Sequence, residues 1–189
     1  MTTLGTTPSQ TVGPYLAIGL TWDDGTFVAP EDTPEAFWIR GRLTDGNGDA
    51  VPDGLIETWQ ADPSGRFNHP DDPRGAVEPS VEGFRGFGRS ATDTDGRWGV
   101  RTLKPGRVPG IDGKPQAPHI DVSVFARGML NRVVTRIYFA DEADANAEDE
   151  VLASVPAEQR ETLLATPHDD GYRFDIRLQG EKETAFFAL

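Results

Sequence analysis

From Trp38 onward, apolar and polar residues alternate along much of the chain with a period of two. That spacing puts successive side chains on opposite faces of a half-buried strand. Ile39 and Leu43 share one face, while Arg40, Arg42 and Thr44 share the other. Leu55, Glu57, Trp59 and Ala61 alternate with Ile56, Thr58 and Gln60, which predicts a strand ending at Asp62-Pro63, with Trp59 assigned to the core. Trp98, Val100 and Thr102 lead a further strand. The clearest row is Ile120, Val122, Val124 and Ala126, opposed by His119, Asp121, Ser123, Phe125 and Arg127. Val133, Thr135, Ile137 and Phe139 then oppose Arg132, Val134, Arg136 and Tyr138, and the short stretch Gly128 to Asn131 makes these two strands antiparallel neighbours. Tyr172, Phe174, Ile176 and Leu178 alternate with Arg173, Asp175, Arg177 and Gln179, and Thr184 to Leu189 adds a last apolar edge.

The punctuation between these runs is turn and loop chemistry. Asp45-Gly46-Asn47-Gly48-Asp49 and Asp93-Thr94-Asp95-Gly96 are turn sequences, and the first predicts a hairpin-like connection. Pro8 and Gly13-Pro14 make an extended, stiff N-terminal segment, irregular up to Pro34. Ser64 to Arg89 is rich in Gly, Pro and Phe and lacks periodicity, so it reads as a functional excursion. The stretch from Arg107 to Pro118 reads as loop, and acidic Asp141 to Glu150 as a solvated loop. One helix is predicted, starting at Pro156 with Glu158 near its positive end, offering Leu163 and Leu164 as an apolar side and stopping at Pro167. The expected fold is all-β: a β-sandwich of mostly antiparallel strands with long loops and one short helix. It is expected to form a single domain over residues 1–189, with an extended N-terminal segment of about residues 1–37.

Composition narrows the chemistry. The 189 residues include no cysteine, so disulfides, a thiolate nucleophile and a zinc-thiolate site are excluded, and any metal would use His, Tyr, Asp or Glu. The net charge of −13, with no basic stripe, argues against a nucleic-acid partner. An anionic ligand would need a local cationic spot such as Arg127, or Arg132 with Arg136. Met1 to Gln10 has neither a basic residue nor an apolar run. No secretory signal or membrane span is therefore predicted, and a cytoplasmic location is expected.

His119 and Asp121 stand two apart on one strand face, as half of a metal site would. A structural hydrogen bond between them fits the same spacing. A free-standing metal enzyme would need a third ligand that the sequence does not identify, and a non-enzymatic β-sandwich binding module fits the composition equally well.

Two motifs go further: Thr7-Pro8-Ser9-Gln10-Thr11-Val12-Gly13-Pro14-Tyr15 and Ala117-Pro118-His119-Ile120-Asp121. With Gly54 to His69, Thr92 to Gly106, Ala117 to Asp141 and Tyr172 to Phe187, they make the chain resemble the intradiol ring-cleaving dioxygenases, specifically the α chain of two-chain members. The resemblance implies a β-sandwich and cleavage of a dihydroxybenzoate with O2. It also implies a non-heme Fe(III) ion held by two tyrosinates and two histidines. The tyrosine positions correspond here to Phe67 and Val108, and the histidine pair to His119 and Asp121, so these are vestigial positions. Neither Phe nor Val supplies an anionic oxygen. The resemblance therefore assigns the iron to a homologous β chain and implies that this chain alone is inactive. Its contribution to the partner's substrate site would come from Thr11, Gly13, Pro14, Tyr15 and Arg127, with the arginine suited to a substrate carboxylate.

Overall fold

The computed structural model describes Thr11, Gly13 and residues 15–110 and 113–188. A helical turn, α1 (Tyr15–Gly19), precedes strands β1 (Phe37–Thr44), β2 (Leu55–Trp59), β3 (Phe87–Ala91), β4 (Arg97–Thr102), β5 (His119–Phe125) and β6 (Val133–Phe139). Two short helices follow, α2 (Ala143–Glu148) and α3 (Glu150–Ser154), then a 3-10 turn (Arg160–Leu163) and strands β7 (Leu164–His168), β8 (Gly171–Arg173) and β9 (Ile176–Arg177). Strand order is β3-β2-β5-β6-β7-β8-β1-β4, with β9 beside β1. β7 joins the two layers: Leu164 and Ala165 pair in parallel with β6, and Thr166 to His168 pair antiparallel with β8.

Between the layers lies one apolar core. Ile39 and Leu43 of β1 and Trp98 and Val100 of β4 meet Ile56 of β2, Ile120, Val122 and Val124 of β5, and Ile137 and Phe139 of β6. Each fully buried Ile, Leu or Phe contributes about 1.5–3 kcal/mol relative to exposure. The expected β-sandwich is therefore the fold that forms, and the β5–β6 neighbours are antiparallel as predicted. Among the described residues, no helix is long and apolar enough to cross a membrane.

Several local expectations are overturned. The irregular stretch expected up to Pro34 contains α1. The Asp45–Asp49 turn forms, with the Asp45 carboxylate accepting from the N–H groups of Asn47 and Asp49, but its hairpin goes no further than an antiparallel bridge between Thr44 and Ala50 and a bond from Val51 N to the Leu43 carbonyl, and β1 and β2 do not pair. β1 pairs with β4, β8 and β9, and β2 with β3 and β5, so the chain changes layer at that turn. Trp59 is not core. Parity puts Ile56, Thr58 and Gln60 inward, and the polar pair is tolerated because Gln60 accepts from Thr102 at 2.6 Å and donates to the Leu103 carbonyl at 2.9 Å. Trp59 is left outside, 36% exposed.

The predicted helix from Pro156 is replaced by the 3-10 turn and β7. Leu163 and Ala165 are both fully buried, and Pro167 sits within β7 opposite Tyr172. Conversely, the acidic run is not a solvated loop: it supplies α2 and α3. Its last aspartate, Asp149, is buried because it caps α3 by accepting from Leu152 N at 2.8 Å.

The long excursion after β2 is pinned from within by two aspartates. Asp62 accepts from Ser64 N, Ser64 Oγ and Arg66 N, and from Ser80 N across the loop at 2.7 Å. Asp72 accepts from Phe67 N and from the Arg74 backbone and guanidinium. The Arg74 hydrogen bonds hold the Asp72 carboxyl well below the usual carboxylate range, against the opposing effect of burial.

A folded-state pKa lowered in this way gives stability that is present above about pH 4, the unfolded value, and is lost as pH falls below it. We expect unfolding free energy to drop as pH falls from about 4 toward about 2. Asp72→Asn should cost about 2 kcal/mol at neutral pH, from weakened charge-assisted bonds, and flatten that acid limb. Denaturant titrations at several pH values would check this, and an unchanged acid limb in the variant would assign it to other carboxylates.

Candidate functional site

β5 and β6 present their outward faces side by side. His119 is directly opposite Tyr138 and Asp121 directly opposite Arg136, so the four polar side chains form two cross-strand pairs on one surface. Asp121 accepts from Arg136 Nε at 2.8 Å. Arg136 Nη1 also donates to Gln116 Oε1 at 2.8 Å and lies 3.4 Å from the Tyr138 hydroxyl.

His119 is only 8% exposed. Its Nδ1 is 2.8 Å from the Ala117 carbonyl, which assigns the proton to Nδ1 and the lone pair to Nε2. Burial first and the Arg136 charge second push its pKa below the ordinary value, outweighing Asp121 and the Ala117 carbonyl, so the ring is neutral at pH 7. Burial pushes the Tyr138 phenol up to about 12, so it stays protonated.

The four positions that the resemblance aligns with metal ligands, Phe67, Val108, His119 and Asp121, come together around this face. Trp59 of β2 is the cross-strand partner of Asp121 on its other side, and Phe67 stacks on Trp59 with ring centroids 5.8 Å apart. Val108 is buried, and its carbonyl accepts from Gln116 N at 2.8 Å, the same glutamine that meets Arg136. The loops carrying Phe67 and Val108 are packed together. Gly106 N donates to the Asp62 carbonyl at 2.9 Å, and a Cβ at Gly65, where φ is +75°, would stand 2.2 Å from the Arg107 carbonyl oxygen.

These residues do not fit a ferric ion of the tyrosinate and histidine type. Phe67 and Val108 have no donor atom, and Asp121 is engaged by a guanidinium. Among the described residues, no group of three His, Cys, Asp or Glu side chains could hold a metal.

The second set of predicted residues lies at the other end of β5. Thr11 Oγ1 accepts from Gly128 N at 2.8 Å, so the N-terminal segment is tied to the residue after Arg127. Gly13 has φ of +65°, a left-handed conformation that glycine adopts without strain. Tyr15 opens α1 and is 71% exposed, and Ile18 beside it is 75% exposed. Pro14 lies outside the described residues. The Arg127 Nε is 2.8 Å from Asp53, with most of the arginine side chain in solvent. Thr11 and Arg127 are thus brought together, away from the His119 and Asp121 end of the strand.

The sequence missed Gln116 and Asp149 as site residues, and it placed Arg136 and Tyr138 on one strand face without their partners. A signal was available for Arg136 and Tyr138: folding the chain symmetrically about Gly128-Met129 sets Arg136 against Asp121 and Tyr138 against His119. Asp149 carried no such signal. It joins the group only through space, accepting from Ala117 N at 2.7 Å and lying 3.4 Å from the Tyr138 hydroxyl.

Comparison with known proteins adds a family to this geometry. Residues 13–180 match the family described as Dioxygenase. The chain is 44% identical to a protocatechuate 3,4-dioxygenase alpha chain of Burkholderia cepacia over 99% of each chain. It is 45% identical to the alpha chain of Pseudomonas putida, over 96% of this chain and 95% of that one. A protocatechuate 3,4-dioxygenase beta chain of Burkholderia cepacia is more distant, 34% identical over 82% of this chain and 68% of its own length. Among solved structures, an intradiol ring-cleavage dioxygenase from Tetranychus urticae superposes with a TM-score of 0.61 at 17% identity, covering 92% of this chain and 94% of that one, a likeness of fold.

Proposed function

The chain belongs to the intradiol ring-cleavage dioxygenase family, and on that premise we propose that it is the iron-free alpha subunit of a protocatechuate 3,4-dioxygenase. The observation that carries this reading is the near-full-length identity with alpha chains, which exceeds that with the beta chain. The assembly would open the ring of protocatechuate, a dihydroxybenzoate, with O2 to give a carboxymuconate in aromatic breakdown. Its partner is a homologous beta chain holding the non-heme ferric ion, and the assembly works in the cytoplasm. The oxygen chemistry belongs to that partner.

The part left to this chain is shape and charge. Thr11, Gly13, Pro14 and Tyr15 wall the partner's pocket, and Arg127 beside them favours the substrate carboxylate through a charge-assisted hydrogen bond. The bond between Thr11 and Gly128 supports this by holding segment and arginine at one place. The exposed Tyr15 and Ile18 supply apolar surface of the kind an obligate interface covers, commonly more than about 2,000 Å² in all.

The test is to express the chain alone and with its beta chain. Alone it should be colourless, iron-free by elemental analysis, inactive and self-associated, and mixing with the beta chain should yield activity. Stoichiometric iron with a red-brown absorption in the isolated chain would overturn the reading, as would a stable monomer that gains nothing from the beta chain.

A further inference from the structure

We propose that the Arg136 guanidinium is a built-in cation that closes the His119 and Asp121 strand face to metal ions. This deepens the reading of the chain as an iron-free subunit by naming the group that excludes metal. Loss of donors at Phe67 and Val108 does not account for exclusion by itself, because two side chains two apart on a strand can still hold a divalent ion with water completing its shell.

His119 keeps the arrangement of a metal-binding histidine. Its Nδ1–H is committed to the Ala117 carbonyl, and that bond fixes the tautomer whose Nε2 carries the lone pair. Its neighbour has changed. Arg136 stands opposite Asp121 in register and bonds it through Nε at 2.8 Å. The guanidinium is itself fastened by Gln116 at 2.8 Å, and Gln116 is held in turn by the Val108 carbonyl. A permanent positive charge is therefore bonded to Asp121, the carboxylate beside His119 on the same strand face. An ion coordinated there would have to displace that charge or stand within a few ångströms of it. Arg136 is largely shielded from solvent, at 19% side-chain exposure, while Asp121 is 39% exposed, so the repulsion at the guanidinium is only partly screened.

The experiment rebuilds the histidine pair with and without the guanidinium and titrates the full chain with Ni²⁺. Asp121→His alone, keeping Arg136, should bind Ni²⁺ weakly. Asp121→His with Arg136→Gln should bind on the order of a hundredfold more tightly, from removal of one close like charge. Asp121→His with Arg136→Lys, which keeps the charge, should stay near the single variant. Equal affinity of the single and the glutamine double variant would overturn the proposal, and so would absence of binding in both.

If the double variant fails to fold by circular dichroism, Arg136→Gln alone decides. It should bind Ni²⁺ at least about tenfold more tightly than the unaltered chain, because the like charge is gone, and unchanged affinity would refute the idea. These outcomes are separate from the fate of the subunit assignment. Iron in the unaltered chain contradicts that assignment, whereas an iron-free chain whose Asp121→His variant binds Ni²⁺ as tightly as the double variant contradicts only the role of Arg136.

Discussion

Arg127→Ala in the enzyme reassembled with its beta chain is expected to lower kcat/KM for protocatechuate by about ten- to a hundredfold, leaving iron content and assembly intact. The size derives from the charge-assisted hydrogen bond that a guanidinium makes to a carboxylate, about 1.5–3 kcal/mol, expressed as lost transition-state binding. Catechol lacks the carboxylate, so its turnover should change far less. Arg127 is available for this role because it sits just beyond β5 with 64% of its side chain exposed and, among the described residues, its one ion pair is from Nε to Asp53. Equal losses with both substrates would make Arg127 a shaping residue of the site or interface. No change with either would remove it from the site and leave the Thr11 to Tyr15 segment as this chain's contribution. Steady-state kinetics on the two substrates, with iron measured on the same samples, separates the three results.

Asp149→Ala should produce the largest loss of stability. The carboxylate is 1% exposed and accepts from Ala117 N at 2.7 Å and Leu152 N at 2.8 Å, with the Tyr138 hydroxyl at 3.4 Å. Truncation leaves two buried N–H groups without acceptors at about 1–3 kcal/mol each and removes the cap of α3, for a total of about 3–5 kcal/mol. For a chain of this size that lowers Tm by roughly 8–15 °C. Asp149→Asn keeps one acceptor oxygen and should lose about half as much. The same bond to Ala117 places the residues that lead into His119, so the alanine variant should also loosen the start of β5. Hydrogen exchange would show this as faster exchange at Ile120 and Val122 than in the unaltered chain. A Tm within about 2 °C of the unaltered chain, less than about 1 kcal/mol, would mean that water takes over the carboxylate's role.

The identity of β1, β5 and β6 was determined by the sequence alone, because period-two burial is local: Ile39 with Leu43, the Ile120 to Ala126 row and the Val133 to Phe139 row each carry their own inward face, whereas β3 began inside the stretch read as an excursion and β7 inside the one read as a helix. The family was legible for a related reason. Motifs such as Thr7 to Tyr15 and Ala117 to Asp121 specify backbone and side chain together over a few residues, and the departures at Asp121, at Phe67 within Gly54 to His69 and at Val108 just after Thr92 to Gly106 were visible once those stretches were aligned.

Tertiary structure decided which layer each strand joined. Periodicity says that a strand has two faces without saying which neighbour it meets, so Asp45–Asp49 reads as a hairpin although the chain crosses there to the other sheet. It also decided Trp59. An indole passes for core by hydrophobicity, yet parity with Ile56 turned it outward, and the polar Thr58 and Gln60 took the inner face once Thr102 and Leu103 were there to satisfy Gln60. Around Pro156 to Pro167 the local helix signals lost to β6 and β8, which flank the segment on both sides and accept it as a strand. The register of Arg136 with Asp121 was recoverable from the symmetry of the β5–β6 hairpin, but the burial of Asp149 against Ala117 belongs to the same class as Trp59. It joins residues distant in the chain, and the energy that selects it comes from a desolvated charge and N–H groups finding partners in three dimensions, which no local pattern of residues encodes.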